Sequence, residues 1–259
     1  MEQLVTLDFE TYYSSTYGLT KQTTEEYIRH PEFQVIGVAI KINDEEKTTF
    51  HTGTHQEIQA ALDDIDWRVS GLVCHNTLFD GAILAWVFKI TPAFYFDTLS
   101  IARALHGTNA GGSLKALAER YNLGKKGTEV LDAKGKRLED FTPSELSAYG
   151  SYCINDVQIT FDLFGIIAPK FPESEHQLID ITLRMFIQPQ LRVDDALLIE
   201  RLQEVRDEKA LMLEGLMARL ECDTNEAVRK KLASNKQFAE LLEELGVPCP
   251  MKESPTTGK

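Results

Sequence analysis

Two carboxylates, Asp8 and Glu10, stand two residues apart in the stretch LVTLDFET, Leu4 to Thr11. The stretch alternates with a period of two. Leu4, Thr6, Asp8 and Glu10 fall on one side, and Val5, Leu7 and Phe9 on the other. β-branched and aromatic residues dominate, so a strand is predicted. The two acids then share a face. Like charges about 4 Å apart repel by roughly 4 kcal/mol at an effective dielectric of about 20. A divalent cation between them would offset that repulsion. A strand end open to water would also relieve it, and this stretch alone allows either.

Two further places carry chemistry of the same kind. In HNTLFD, His75 to Asp80, the acid falls at the start of an apolar helix directly after a short strand. Asp80 there either complements the helix dipole or reaches the end of the first strand. In YCIND, Tyr152 to Asp156, the tyrosine and the acid lie four residues apart on a long predicted helix. They sit on the shoulder of a buried stripe formed by Leu146, Tyr149, Cys153, Val157, Phe161 and Phe164. Tyr152 and Asp156 read either as an ordinary pair on a half-exposed face or as two groups facing a cleft.

The elements that must position these groups follow from the local pattern. Strands are predicted over 34–42 and 46–51, paired across the Asn43–Glu45 turn, and then over 71–74 and 94–96. Helices are predicted over 24–29, 55–65, 78–88 and 98–106, and from Ser113 to Gly124. Thr142-Pro143-Ser144-Glu145 carries the residues of a capping box, with proline at the first helical position. It opens a helix to about Ile167. Early strands and later helices predict an α/β fold, a mixed sheet whose first hairpin is antiparallel and whose later strands arrive through helical crossovers. From about Phe186 the pattern becomes all helical. Asp194 opens a long amphipathic helix, residues 225–232 form a short one, and Ser234 with Gln237 reads as a second capping box. The final VPCPMKESPTTGK reads as a linker.

The bulk properties limit the function classes. The chain has 259 residues, 43% hydrophobic and 26% charged, with a net charge of −13. The acidic balance argues against a simple basic nucleic-acid binder. One segment departs from it. Between Ser113 and Arg137, seven lysines and arginines face three acids. That excess suits either a solvated loop or a grip on a phosphate backbone. No apolar run approaches a membrane span, no targeting segment is expected at MEQLVTLDFE, and the four cysteines, at 74, 153, 222 and 249, show no metal spacing. A cytoplasmic protein with reduced thiols is expected, with no membrane partner.

The DxE, N-x-x-F-D and Y-x-x-x-D motifs occur in that order, roughly 70 residues apart. This pattern resembles the three exonuclease motifs of the DEDD 3′–5′ exonucleases on a ribonuclease H-like fold. Tyr152 resembles the tyrosine subtype; the histidine subtype would have His at 151, which is Ser. Asp97-Thr98, SLKALAERYNLG and SNKQFAELLEELGVPCPMKESPTTGK also resemble a family A DNA polymerase of phage type. The resemblance implies an exonuclease domain over 1–187 and the helical start of a thumb over 188–259, stopping before any palm. It implies hydrolysis of single-stranded DNA 3′ ends with two divalent cations, Mg²⁺ or Mn²⁺. Asp8, Glu10, Asp80 and Asp156 would hold the ions, Asp8 bridging them, and Tyr152 would orient the attacking water. Thr11, Asn76 and Phe79 would touch the terminal nucleotides, and Lys115, Lys125 and Lys126 the backbone. Family members place a leucine-like wedge shortly after DxE. Tyr12, Tyr13 and Ser14 occupy that region, which leaves the wedge unassigned. The missing polymerase region would be the partner, and the host cytoplasm the location of a phage-encoded chain. Two other readings are an RNA-trimming DEDD nuclease and a non-catalytic single-strand binder, though binding alone is better served by Lys and Arg than by four acids.

Overall fold

In the computed structural model, residues 2–124 and 133–249 are described. Lys125 and Lys126 lie outside these residues. The chain divides into two compact units, Met1–Gln190 and Leu191–Lys259.

The first unit is built on a five-stranded mixed sheet. Its strands are β1 (Gln3–Thr11), β2 (Val35–Ile42), β3 (Thr49–Thr52), β4 (Ser70–Cys74) and β5 (Phe94–Asp97), in the order β3-β2-β1-β4-β5. β1 pairs antiparallel with β2, and β2 with β3. β4 is parallel to β1 and to β5. The predicted hairpin is therefore present, with β3 starting three residues later than its pattern suggested. The parallel strands are reached through α2 (His55–Asp63) and α3 (Thr77–Trp86), as parallel pairing requires a crossover.

The alternation in β1 sorts its two faces. Val5, Leu7 and Phe9 enter the main core with residues of α1 (Thr24–Arg29), α2 and α3. Leu4 packs into the core on the opposite face, with α4 (Thr98–His106), α5 (Leu114–Tyr121) and α6 (Pro143–Ile167). The predicted capping box at Thr142 and Glu145 is formed. α6 lies on β1 and β2, and two glycines let it approach. A Cβ on Gly150 would fall 2.5 Å from Cδ1 of Phe50, and one on Gly37 would fall 2.4 Å from Cζ of the same ring. Phe50 thus fills the space that the two missing side chains leave.

Three expectations are corrected. The helix α7 (Glu173–Ile187) has no counterpart in the sequence reading. It is pinned to β5 by Asp180, which accepts the Tyr95 N–H at 2.8 Å and the Arg184 Nε–H at 2.8 Å. In the second unit, α8 (Asp195–Met217) shows no buried stripe along its first half, where Leu197, Leu198, Ile199, Leu202 and Val205 are exposed. Leu197, Leu198 and Ile199 are consecutive and so point to different sides of the helix. Among the described residues of this unit, the buried packing is a small cluster of Leu213, Leu220 and Val228, joined by α9 (Asn225–Ala233) and by Leu241 of α10 (Asn235–Glu244). Ser234 caps α10 by accepting from the Gln237 N–H, but the reciprocal half of the predicted box is not formed.

Among the described residues, no helix is long and apolar enough to cross a membrane.

Candidate active site

The site forms where the sheet loses a strand pairing. β1 pairs with β4 only over Gln3–Thr6, because β4 ends at Cys74. Beyond that point β1 continues with β2 alone on its other side. The Phe9 N–H on the vacated edge has no strand acceptor, and a buried donor left so would be costly. Asp80 supplies the acceptor, Oδ1 lying 3.0 Å from the Phe9 nitrogen. A crevice beyond the ends of parallel strands is where open α/β sheets place ligands.

A cleft of about 480 Å³ opens there. Asp8, Glu10, Thr11, Tyr152 and Asp156 line it, together with Tyr13, His75, Phe79, Leu114, Tyr149 and Thr160. The register of β1 against β2 shifts between Glu10 and Thr11, so two consecutive side chains can border the same cleft. Of the sequence-predicted groups, Asp80 stands behind the wall, 2% exposed. Asn76 and Lys115 do not line the cleft. Asn76 is exposed and left-handed, at φ 75°, and borders a separate groove with Ser100 and Arg103. Lys115 is exposed on the first turn of α5, one residue beyond the cleft residue Leu114. Phe79 borders the cleft and also packs on Tyr27, their ring centroids 6.0 Å apart.

α6 brings the remaining groups to β1. The Tyr149 hydroxyl donates to Oε2 of Glu10 at 2.5 Å, and the Tyr152 hydroxyl is hydrogen-bonded to the Asp156 carboxylate. Both phenols are held well above the ordinary tyrosine range. Burial is the main cause in each, followed by the charge of Glu10 for Tyr149 and of Asp156 for Tyr152. They are donors, not bases. Cys153, the residue after Tyr152, turns its Sγ to Asp8, 3.3 Å from the carbonyl oxygen and 3.9 Å from Oδ2.

Ligand atoms of Asp8, Glu10 and Cys153 fall within 4.8 Å of one another. Asp156 and Asp80 are not in that tight group. Asp80 nevertheless feels it. Its carboxyl is pushed well above the usual carboxylate range, by burial first and by the negative charge of Asp8 second. A buried acid that resists ionising beside another acid is suited to a cation, and the donors other than Cys153 are hard oxygens of the kind that select Mg²⁺ or Mn²⁺.

Sequence reasoning placed Tyr149 and Cys153 in a buried stripe and left the tract after DxE unassigned. That tract is a built wall. Tyr17 stacks on Tyr27 at 4.7 Å and donates to its carbonyl at 2.7 Å. Tyr27 donates in turn to the Tyr12 carbonyl and so accepts from Thr11, at 2.8 Å. The loop they hold presents Tyr13, Ser14, Gly18, Leu19 and Thr20 to the cleft, and Leu19 is 49% exposed. The density of tyrosines was the available signal. The other acid of the resemblance, Asp97, caps two helices. It accepts from Asn76 and Thr77 at the start of α3, and from Leu99 and Ser100 at the start of α4.

Residues 2–172 match the family model described as 3′–5′ exonuclease. The sequence has no significant match among curated proteins. Among solved structures, the chain is similar to NrnC of Brucella melitensis, with 16% identity and a TM-score of 0.51 over 72% of this chain and 83% of that one. The same protein bound to pGG gives 15% identity and a TM-score of 0.51, over 72% and 82%. RNase D of Trypanosoma brucei in complex with RNA U12 gives 12% identity and a TM-score of 0.53, over 73% and 65%. At these identities the likeness establishes the fold, a ribonuclease H-like exonuclease fold.

Proposed function

The chain belongs to the 3′–5′ exonuclease family, and from that membership we propose that it removes nucleotides from single-stranded DNA 3′ ends by divalent-cation-dependent hydrolysis. Within this proposal it is the proofreading part of a family A DNA polymerase of phage type. The observation that carries the hydrolytic reading is the convergence of three distant motifs on one cleft. Asp8, Glu10, Tyr152 and Asp156 border it, and Asp80 is bonded to the strand between the first two. In the reaction, water adds to the terminal phosphodiester, the bond to the preceding nucleotide's O3′ breaks, and a nucleoside monophosphate leaves.

Asp8, Glu10 and Asp156 would hold one cation, and Asp8 with Asp80 a second. Two such ions supply an acidified attacking water and positive charge for the leaving oxygen. The chain's own groups do the rest. Tyr152, whose phenol is held well above the ordinary tyrosine range, would orient the attacking water. Thr11 and Phe79 border the position of the terminal nucleotide, and stacking on Phe79 is sequence-tolerant, worth roughly 1–3 kcal/mol per base. Leu19, exposed on the border of the cleft, would part the last bases. Residues 188–259 are assigned to the start of a polymerase thumb on their sequence resemblance, and the rest of that polymerase is the expected partner.

RNA trimming is the second reading. It is favoured by the solved relatives, one bound to pGG and one to RNA U12. A time course with a 5′-labelled single-stranded DNA and a matched RNA, with and without Mg²⁺, separates the two. Stepwise shortening of the DNA, dependent on Mg²⁺ and faster than that of the RNA, is expected. Faster RNA shortening transfers the assignment to RNA trimming. Shortening unchanged by chelator removes the cation chemistry.

A further inference from the structure

We infer that Tyr149 is a positioning residue for Glu10, its phenol fixing the orientation in which that carboxylate meets a divalent cation. The inference rests on the metal-dependent reading above and names a residue outside the three motifs.

Tyr149 precedes Tyr152 by three residues and Asp156 by seven, so all three lie along one side of α6. Its ring is 3% exposed and held in a parallel stack, 5.5 Å from Phe141 on one side and 6.4 Å from Tyr152 on the other. The interplanar angles are 13° and 7°. A ring fixed in that way leaves its hydroxyl few positions, and the one adopted is against Glu10 Oε2. Glu10 is itself 7% exposed, so water does not readily replace the phenol as donor. With Oε2 held by the phenol, the Glu10 carboxylate is set in one orientation at the cleft. This is how partners of metal-ligating carboxylates set ligand geometry, and removing such a partner typically weakens metal affinity by about 10–100-fold.

Isothermal titration of the full chain with Mn²⁺, paired with thermal denaturation in chelator and in Mn²⁺, tests the assignment. Tyr149→Phe keeps the stacked ring and loses only the hydroxyl. It is expected to weaken Mn²⁺ affinity about 10–100-fold and to shrink the Mn²⁺-induced rise in Tm. In a Glu10→Gln background the same change is expected to have no further effect on affinity. A Tm lowered equally with and without Mn²⁺, at unchanged affinity, would make Tyr149 merely structural and overturn the inference. A wild-type chain that binds no Mn²⁺ would remove the metal-dependent reading and this inference with it. Wild-type binding matched by Tyr149→Phe overturns this inference alone.

Discussion

The Asp80 carboxylate accepts the backbone N–H of Phe9 at 3.0 Å, and Phe9 is the residue between Asp8 and Glu10. One contact therefore joins the second acidic motif to the middle of the first. It also separates two roles that a single deletion would confuse. An asparagine at 80 keeps the carbonyl-type oxygen that takes the N–H but loses the charge. We expect Asp80→Asn to retain the fold and to lose activity with Mg²⁺ by more than about 100-fold, beyond the range for groups that only orient a ligand. Asp8→Ala and Asp156→Ala should lose at least as much. Circular dichroism and a labelled-DNA time course check the pair of outcomes; near-normal cleavage by all three variants would dissolve the site.

The raised pKa of Asp80 gives the metal-free protein a pH dependence of definite sign. Burial and the Asp8 charge make the folded state hold this proton more tightly than the unfolded chain does. The resulting stability is fully present below the unfolded carboxylate value, about 3.9, and is lost as pH rises through the higher folded value. In chelator, Asp80 should therefore raise stability as pH falls from neutral toward 5. A bound cation requires the ionised acid, so in saturating Mg²⁺ acidification should release the ion and reduce the gain in Tm. Thermal denaturation of wild type and Asp80→Asn across pH, with and without Mg²⁺, isolates the contribution. An identical pH slope for both in chelator would refute it.

Tyr152 donates to Asp156 and is held far above the range in which a phenol ionises near neutrality. A base at this position would impose a limb on the pH–rate profile. A donor would not. Tyr152→Phe is expected to lower kcat by about 10–100-fold, the range for a group that orients without itself exchanging a proton, while leaving the shape of the profile between pH 6 and roughly 9.5 unchanged, since the unperturbed phenol already titrates only near 10. Loss of an alkaline limb in the variant would show that the tyrosine itself titrates in the reaction.

Much of this arrangement is legible in the sequence because it follows period-two and period-3.6 patterns. The alternation of β1 sorts Val5, Leu7 and Phe9 from Asp8 and Glu10, and the capping box at Thr142 starts the helix that carries Tyr152 and Asp156. Other features depend on contacts far apart in the chain. Tyr149 looks like core until Glu10, 139 residues away, is brought to it. Asn76 is in motif, but its left-handed backbone places it on another groove. α7 is blurred by Leu178, Ile181 and Met185, apolar residues on its exposed side that hide the periodicity of the buried one. The loop after DxE shows no repeat at all, because tyrosine hydrogen bonds and stacking, not strand or helix patterning, hold it in place.

Gly150 tests whether the approach of α6 to the sheet sets the site. Its missing Cβ is what admits Phe50, and the same ring is confined from the other side by Gly37. The ring cannot swing clear of a methyl group at 150, so α6 must shift instead. Overpacking of this kind costs about 1–3 kcal/mol. Because Gly150 stands between Tyr149 and Tyr152, the shift moves both phenols relative to Glu10 and the cleft. Gly150→Ala should therefore lower stability in urea denaturation by about that amount. It should also lower kcat under conditions where the protein remains folded. Shortening the ring should relieve both effects, so Phe50→Leu combined with Gly150→Ala is expected to recover activity relative to Gly150→Ala alone. A Gly150→Ala protein with unchanged stability and kcat would show that α6 has room to spare and that Phe50 does not set its distance from β1.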